Sequence, residues 1–453
     1  MNKILGPAIA AAMAMTSTFA YAERVNQLAD QRAAIAYAID MDTIVETLFE
    51  GKAIVADSMI PNGPYKAEDL ERYGYSPEKA RKLLAEANWD DSQVLDVVYY
   101  YGDQLTADLM VAMQAYLADV GVKMTYRKLE GDVGGQLNAL PAAGSDTSAV
   151  TWDIAYGAKA AAFKEFTKFE NSALSDIPLY YQQLFIYESN RLNRNGGQYG
   201  NDQFVYDWGI VDWTVEPDAN GKSVMYTNTA PSTFFDHPWL NPGIYAFSKV
   251  GLDRLMTADG ALVPTEGQLA KSVDVADDGM SVTFELKDGL KWHDGVDLTA
   301  EDIVWSIETA KTVPGINAVF SSTFDAISDM SIDGNKITIT FGTLDPNMLL
   351  TFSQFAPLPK HLLEGVNPAE FQQHPFWQNP VGSGPFKIAE VQMNDFVRFV
   401  PFEDYHGGVA KIDEIVAFPS GENDGNVIQN AEAGRLDYGF TKSVGDVQAL
   451  EAM

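Results

Sequence analysis

The sequence predicts an α/β protein of two lobes, each with its own sheet and flanking helices. Strand and helix patterns alternate over residues 23–177, and a second alternating series runs from 223 to the end of the chain. The stretch between them has the composition of an exposed loop at 190–203 and a turn at Asp218–Gly221. A chain of 453 residues is long enough for two or three domains with substantial cores.

The first series opens with apolar residues at helical spacing over 30–50, which predict one helix. A second helix is predicted over 76–88, with Ser76 as its N-cap and Pro77 in its first turn. The pattern of Val94–Tyr101 is typical of a buried strand. The other predicted elements are a helix over 106–120 that ends at Gly121 and strands over 122–128 and 152–156.

The second series follows an apolar and aromatic strand predicted over Ile177–Tyr187. One of its helices is predicted to begin at Thr299 as N-cap, since Glu301 and Asp302 place acids against the positive helix end. The predicted strands are Ser223–Thr229, Ser281–Lys287, Lys336–Phe341, Phe386–Gln392, Phe396–Phe402 and Glu414–Phe418, and the helices are Ala300–Thr309 and Val427–Ala433.

Residues 1–22 have the features of a secretory signal peptide. Lys3 gives a positive start, an apolar stretch follows, and Ala20–Ala22 is a small-x-small cleavage pattern before Glu23. A buried N-terminal helix is the alternative, but the stretch has no polar face. The chain has no cysteine, and hence no disulfide, thiolate metal ligand or lipid-anchored cysteine. We expect a soluble protein of the bacterial periplasm.

The charge is strongly acidic, with 63 acidic and 31 basic residues and a formal net charge of −32. Such a surface repels nucleic acid and anionic lipid, so we expect neither as a partner. No run of five like charges occurs, so the acidity indicates solubility or adaptation to salt and not an interaction tail.

The motifs of common enzymes are missing from the sequence. The five histidines form no His-x-x-x-His pair, and no Gly-x-Ser-x-Gly occurs. The Gly-rich segment Val381–Phe386 lacks the Lys-Ser/Thr of a phosphate loop and leads into a strand. Carboxylates are numerous, so a glycosidase-type pair stays open, although no pattern marks one. We expect no catalytic residue, no metal site and no cofactor.

Ordered motifs in the second half resemble the family 5 extracellular solute-binding proteins, which serve peptide, nickel-chelate and some sugar importers. Each motif is weak alone, but the ordered set is specific, and the resemblance covers most of the mature chain. The motifs are Pro264, Leu269–Ala270, Asp277–Gly279, Thr283–Leu286, Trp292–Gly295, Thr299–Asp302, Pro359–His361, Val381–Phe386, Tyr405–Gly408, Ile412–Asp413 and Gly434–Asp437.

The first half carries motifs that normally follow Gly-x-x-Asp in that family, namely Arg32–Asp40, Gly51 and Ser76–Ala80. Their order predicts a circular permutation, with the old ends joined around Glu216–Gly221 and the new ends, Glu23 and Met453, near the hinge. Compared with the family, the sequence also lacks a crossing strand between Met453 and Asn26 and roughly one helical hairpin between Phe169 and Asp176. The predicted domains are a signal peptide 1–22, a smaller lobe 23–177, a hinge-crossing strand and junction 178–222, and a larger lobe 223–453.

The resemblance implies a two-lobed periplasmic-binding-protein fold, type II and cluster C-like, with a hinge between the lobes. It implies a monomeric receptor that delivers a peptide, oligosaccharide, opine or chelate to an ABC permease in the inner membrane. Two alternatives stay open: a sensor component for a membrane signalling receptor, and the inactive product of a rearranged gene.

The resemblance also places candidate ligand contacts, for each of which ordinary core packing is the alternative. The peptide binders of the family place an acidic residue just beyond the matching segment of the smaller lobe, where it meets the amine of the ligand. Ala158–Phe163 contains no acid, so the resemblance does not extend to recognition of a peptide amine. The smaller-lobe candidates are Trp152, Tyr156 and Lys159, and those of the larger lobe are Ala230, Ser232, Phe234, Phe320, Ser321, Gln354 and Phe355.

Overall fold

A computed structural model shows two compact units, Met1–Gln183 and Leu184–Met453. The boundary lies inside the predicted hinge-crossing segment 178–222. The structure describes residues 29–58, 70–131, 133–137, 151–157, 177–182, 185–196, 207–229, 238–239, 246–259, 263–314, 316, 318–392, 395–419, 426–441 and 444–453. Among these residues, no helix is both long enough and apolar enough to cross a membrane.

The first unit combines helices with a parallel sheet of three strands in the order β3-β2-β4. A separate antiparallel pair joins β1 to β5. Its elements are α1 (29–38), α2 (Met41–Thr47), β1 (Ala53–Val55), α3 (Pro77–Glu86), β2 (Val94–Tyr99), α4 (Gln104–Asp119), β3 (Lys123–Lys128), α5 (Val133–Leu137), β4 (Ile154–Tyr156) and β5 (Tyr180–Gln182).

The helix predicted over 30–50 is two helices, because Asp40 starts a new one. The Asp40 carboxylate accepts hydrogen bonds from the Thr43 backbone N–H (3.0 Å) and hydroxyl (2.8 Å), which is the geometry of an N-cap. Apolar residues of both helices still enter one core, since Ala38 of α1 and Ile44 of α2 are both buried there. The periodicity therefore predicted the buried face correctly and missed the break.

The second unit contains a mixed sheet of six strands in the order β16-β17-β18-β9-β19-β6 and an antiparallel sheet of four, β12-β13-β15-β14. Its strands are β6 (Phe185–Glu188), β7 (Leu192–Asn193), β8 (Thr214–Val215), β9 (Val224–Thr229), β10 (Met256–Ala258), β11 (Pro264–Gly267), β12 (Ala270–Val275), β13 (Ser281–Leu286), β14 (Ile327–Asp333), β15 (Lys336–Phe341), β16 (Phe386–Gln392), β17 (Phe396–Pro401), β18 (Glu414–Pro419) and β19 (Tyr438–Thr441).

The helices of this unit pack on the two sheets in separate apolar cores. Trp292 and Phe284 are buried in the core of the four-stranded sheet, and Trp213 is buried in that of the six-stranded sheet. The helices are α6 (Ala246–Val250), α7 (Ala300–Ala310), α8 (Ala318–Ala326), α9 (Met348–Gln354), α10 (Lys360–Leu363), α11 (Val427–Glu432) and α12 (Val444–Glu451), with 3-10 turns at Ile210–Asp212, Pro368–Gln373 and Pro375–Gln378.

The single strand predicted over Ile177–Tyr187 is two strands that belong to different units. Tyr180–Gln182 pairs with β1 in the first unit, whereas Phe185–Glu188 pairs antiparallel with β19 in the second. An apolar run identifies strand residues but not the sheet that they join, so the division between the two units was not predictable from this run.

The Gly-rich segment Val381–Phe386 packs backbone against backbone. The N–H groups of Ser383 and Gly384 donate to the Gly251 carbonyl oxygen at 3.1 and 3.0 Å, and a Cβ on Gly382 would stand 1.9 Å from that oxygen. His293 holds the same segment from the other side: its Nδ1 accepts from the Gly382 N–H (3.1 Å), and its Nε2 donates to the Gly384 carbonyl (2.9 Å). These glycines allow close packing, which agrees with the sequence-based rejection of a phosphate loop.

A buried carboxylate, Asp437, joins three parts of the six-stranded sheet. It accepts hydrogen bonds from the Ser189 hydroxyl (2.7 Å), the Tyr226 backbone N–H (3.0 Å) and the Arg191 guanidinium (3.3 Å). Since Ser189 and Arg191 follow β6, Tyr226 lies in β9 and Asp437 precedes β19, one side chain connects all three strands.

Candidate functional site

The sheet topology of the first unit identifies one edge as the place for a ligand. The chain leaves β2 to form β3 on one side and returns to form β4 on the other, and all three strands run parallel. The connection that leaves the carboxyl end of β2 through α4 therefore leads to β3, away from β4. Open parallel sheets bind ligands beside the carboxyl ends of neighbouring strands at the point where the strand order reverses, so the ends of β2 and β4 are the candidate edge.

Tyrosines gather at this edge. The residues that follow β2 are Tyr100 and Tyr101, with rings 4.4 Å apart and a hydrogen bond of 3.1 Å between their hydroxyls. Tyr156 ends β4, its ring lies 6.2 Å from that of Tyr101, and its hydroxyl is 2.5 Å from that of Tyr180. We call Tyr100, Tyr101, Tyr156 and Tyr180 the tyrosine cluster.

Gly157 lets the cluster close over the strand ends. A Cβ at this position would stand 2.7 Å from a ring carbon of Tyr100, so the Tyr100 ring lies directly against the Gly157 backbone. On the far side, the Tyr180 ring packs 4.4 Å from Phe49, which connects the cluster to the core of the first unit.

The hydroxyls of Tyr156 and Tyr180 stay protonated at neutral pH, because the pKa of each is raised. Burial, followed by the neighbouring Tyr180, raises the pKa of Tyr156 far above its ordinary value of 10.0. Burial likewise raises the pKa of Tyr180. Neutral phenols offer both a donor and an acceptor, so the cluster presents aromatic faces with hydrogen-bonding groups at their edges.

The acid nearest in sequence to this tyrosine run, Asp103, already has a structural role. Its carboxylate accepts from the Thr106 backbone N–H (2.7 Å) and hydroxyl (3.0 Å) as the N-cap of α4. Its charge contributes to the raised pKa of both Tyr156 and Tyr180. The cluster is thus a neutral aromatic surface, and the carboxylate beside it is the N-cap of α4.

The structure separates the two predicted residues of β4. Tyr156 lies at the carboxyl end of the strand within the cluster, whereas Trp152 precedes the strand and lies toward the opposite end. The indole Nε1 of Trp152 donates to the Gln136 carbonyl at 3.3 Å. Sequence reasoning missed Tyr100, Tyr101 and Tyr180, although three successive tyrosines at the end of the predicted strand Val94–Tyr101 were a usable signal.

The predicted residues of the second unit come together in its core. Phe320 lies in α8, and Gln354 and Phe355 lie at the end of α9; all three are buried, and the rings of Phe320 and Phe355 meet edge to face at 5.4 Å. Ser321 is half-buried. Complete burial favours the packing alternative for the two phenylalanines.

Four predicted contacts fall outside the described residues: Lys159, Ala230, Ser232 and Phe234. Within the described part of the chain, no group of three or more histidine or carboxylate side chains is placed to hold a metal ion.

A family model matches this chain over residues 11–171 and 265–452, well over half of its length. The model describes the bacterial extracellular solute-binding proteins, family 5 middle. One matched segment falls in each compact unit.

Curated relatives align over shorter stretches. An ABC transporter peptide-binding protein of Brucella ovis is 27% identical over 40% of this chain and 34% of its own length. The oligopeptide-binding protein AppA of Bacillus subtilis is 30% identical over 32% of this chain and 27% of its own. The chain thus spans between 27% and 34% of the length of these relatives.

Solved structures show the same partial coverage. The structure of NikZ from Campylobacter jejuni in complex with nickel and L-histidine is 26% identical in sequence to this chain. The alignment covers 48% of this chain and 43% of the NikZ chain, with a TM-score of 0.43. The structure of AppA from Bacillus subtilis in complex with a nonapeptide is 21% identical in sequence. That alignment covers 50% of this chain and 46% of the AppA chain, with a TM-score of 0.44. By the family-model match, the chain belongs to the family 5 bacterial extracellular solute-binding proteins.

Proposed function

We propose that this protein is the periplasmic solute receptor of an ABC importer. It captures a small polar solute between two closing lobes and delivers it to a permease in the inner membrane, without catalysis and as a monomer. The observation that carries this proposal is that one family-model segment lies in each compact unit, so both lobes of a receptor are represented. The names of the relatives, which include oligopeptide- and dipeptide-binding proteins, support the same function.

The solute contacts the tyrosine cluster in this proposal. The cluster lies at the switch point of a parallel sheet and presents ring faces and neutral hydroxyls, which suit a polar organic solute with apolar surfaces. Trp152, Lys159 and the candidates on the second unit remain further proposed contacts, of which Ser321 and Gln354 offer polar groups.

We also propose that the halves are circularly permuted. The unmatched interval 172–264 contains the predicted junction Glu216–Gly221, which is an exposed turn between β8 and β9. A single alignment preserves chain order, so an alignment with an unpermuted relative can include only one of the two interchanged halves. In this proposal, that is why the relatives align over only 32–46% of this chain, whereas the two segments of the family model together match far more of it.

The sheet of the second unit supports the same order. Strand β6, which precedes the junction, pairs with β19, and β19 also pairs with β9, which follows the junction. Segments from both sides of the proposed junction therefore build one sheet. Of the proposed new ends, Met453 is exposed, and Glu23 lies outside the described residues.

The test is a thermal-shift screen of residues 23–453 against dipeptides, oligosaccharides, opines and nickel chelates. We expect one class to raise the melting temperature, since a ligand that binds only the folded state stabilises it. In Tyr101→Ala we expect most of that rise to disappear, because the substitution removes the ring between Tyr100 and Tyr156.

The matched control is Tyr126→Ala, which removes a half-buried tyrosine from β3, on the other side of β2 from β4. This variant should keep the ligand-induced rise. A cooperative transition that no solute moves would contradict the receptor function, and an equal loss in both variants would contradict the placement at the tyrosine cluster.

A further inference from the structure

Strand β14 forms one edge of the four-stranded sheet in the second unit. It is last in the order β12-β13-β15-β14, and of the strands that the structure describes only β15 pairs with it. Five of its seven residues are exposed, so the strand is open to solvent. The unpaired backbone N–H and C=O groups of such an edge can pair with a strand of another chain.

The apolar core of the second unit reaches this edge. Met330 and Ile332 lie opposite Ile339 and Ile337 of β15, which are both fully buried, so these two residues share the core-facing side of the sheet. Met330 packs against the core, whereas Ile332 is 38% exposed. A further strand beside β14 would remove apolar surface of Ile332 from water, which is favourable.

The other face of β14 carries two carboxylates. Asp329 and Asp333 are exposed, and neither forms an ion pair within the described part of the chain. Lys336 lies opposite Asp333 across the hairpin, but its Nζ is 3.7 Å from the Glu285 carboxylate. Charged side chains on an edge strand are a common device against the addition of another strand.

We propose that β14 is a surface for a second copy of this chain, and that Asp329 and Asp333 keep the two copies apart. An antiparallel pairing about a two-fold axis at Ser331 sets Met330 of each copy opposite Ile332 of the other. The two sheets then form one sheet of eight strands, and the apolar face continues across the contact.

The same register explains why the natural chain stays a monomer in the proposed function. It sets Asp329 of each copy opposite Asp333 of the other, and like charges directly opposite on neighbouring strands are destabilising. Because the axis at Ser331 produces two such pairs, the repulsion occurs twice in one contact. A chain without these carboxylates should therefore stop at a closed dimer.

The test replaces both carboxylates, in the variant Asp329→Asn with Asp333→Asn. Sedimentation velocity over a series of concentrations should show self-association to a dimer at least about tenfold tighter than that of the wild type. The matched control, Glu403→Gln with Asp404→Asn, removes two exposed carboxylates from the turn between β17 and β18 and should behave as the wild type. Equal association of the two variants, or a first variant that associates no more than the wild type, would overturn the inference.

A third substitution locates the contact. Adding Ile332→Lys to the double asparagine variant places a charge in the apolar part of the pairing and should restore the monomer. A dimer that survives this change would show that the copies meet elsewhere and would overturn the placement on β14.

Another segment of the same chain is the alternative occupant of this edge. Hydrogen exchange of the monomeric wild type distinguishes the two, because the β14 amides that point away from β15 should exchange fast at an open edge. Slow exchange of every β14 amide in the monomer would show that the edge is already covered and would overturn the inference without any variant.

Discussion

His293 accepts a hydrogen bond at Nδ1 and donates one from Nε2, so only its neutral ring fits against the Gly-rich segment. Burial lowers its pKa from 6.5 to about 4. As the pH falls, His293 is therefore protonated in the unfolded chain before it is protonated in the folded chain. The stability that the neutral ring contributes is complete above about pH 6.5 and is lost as the pH falls toward 4.

We predict that the free energy of unfolding falls between pH 7.5 and pH 4.5, with at most about 3 kcal/mol of the fall due to His293. Urea denaturation at the two pH values measures it. His293→Asn should be less stable at pH 7.5 but lose less on acidification. Identical slopes for His293→Asn and wild type would refute this role.

Gly382 shows why this segment must lack side chains. We predict that Gly382→Ala lowers the free energy of unfolding by about 3 kcal/mol or more, because its Cβ would overlap the Gly251 carbonyl oxygen. Gly342→Ala in the same unit is the control, since its Cβ would meet atoms only at an ordinary 3.7 Å. Chemical denaturation compares the two, and equal stabilities would show that the segment relaxes at little cost.

At the scale of elements, helix starts were predictable because capping is local. Ser76 accepts from the Lys79 N–H at 3.3 Å, and the Asp302 carboxylate accepts from the Thr299 N–H at 2.9 Å, as the residue types imply. The break at Asp40 was missed because a continuous apolar stripe hid a local cap.

The partners of a strand were not predictable, because they depend on contacts distant in sequence. Tyr180 and Phe185 read as one apolar run, yet they belong to sheets in different units. Of the four residues of the tyrosine cluster, only Tyr156 was predicted, for the same reason. Tyr100 and Tyr101 become candidate site residues only once β2 and β4 are known to be neighbours.

Asp437 provides a test of how strands β6, β9 and β19 are held together. Asp437→Ala should lower the free energy of unfolding by about 3 kcal/mol, because it leaves the Arg191 guanidinium and the Tyr226 N–H without their shared acceptor. Asp329→Ala on β14 removes an exposed carboxylate and should change stability by less than about 0.5 kcal/mol. Similar losses in both variants would contradict the joining role.

At the scale of the whole molecule, the proposed circular permutation can be tested by reversing the order of the two halves of the chain. A chain with residues 223–453 first, a flexible Gly/Ser linker, and residues 23–215 last restores the proposed ancestral order. We predict that it unfolds cooperatively and keeps the solute response of the natural order, because its new ends replace an exposed turn.

The matched control opens the chain inside β13 at Phe284, which is fully buried. That chain should not fold cooperatively. Loss of folding in the restored order, or equal folding of the two rearranged chains, would contradict the permutation.

The most direct test of the receptor function is the radius of gyration in solution, measured by small-angle X-ray scattering. The wild-type chain is compared without solute and with a saturating concentration of the solute that raises its melting temperature most. A receptor whose lobes close on its ligand predicts a smaller radius with solute bound. An unchanged radius at saturation would contradict capture between closing lobes.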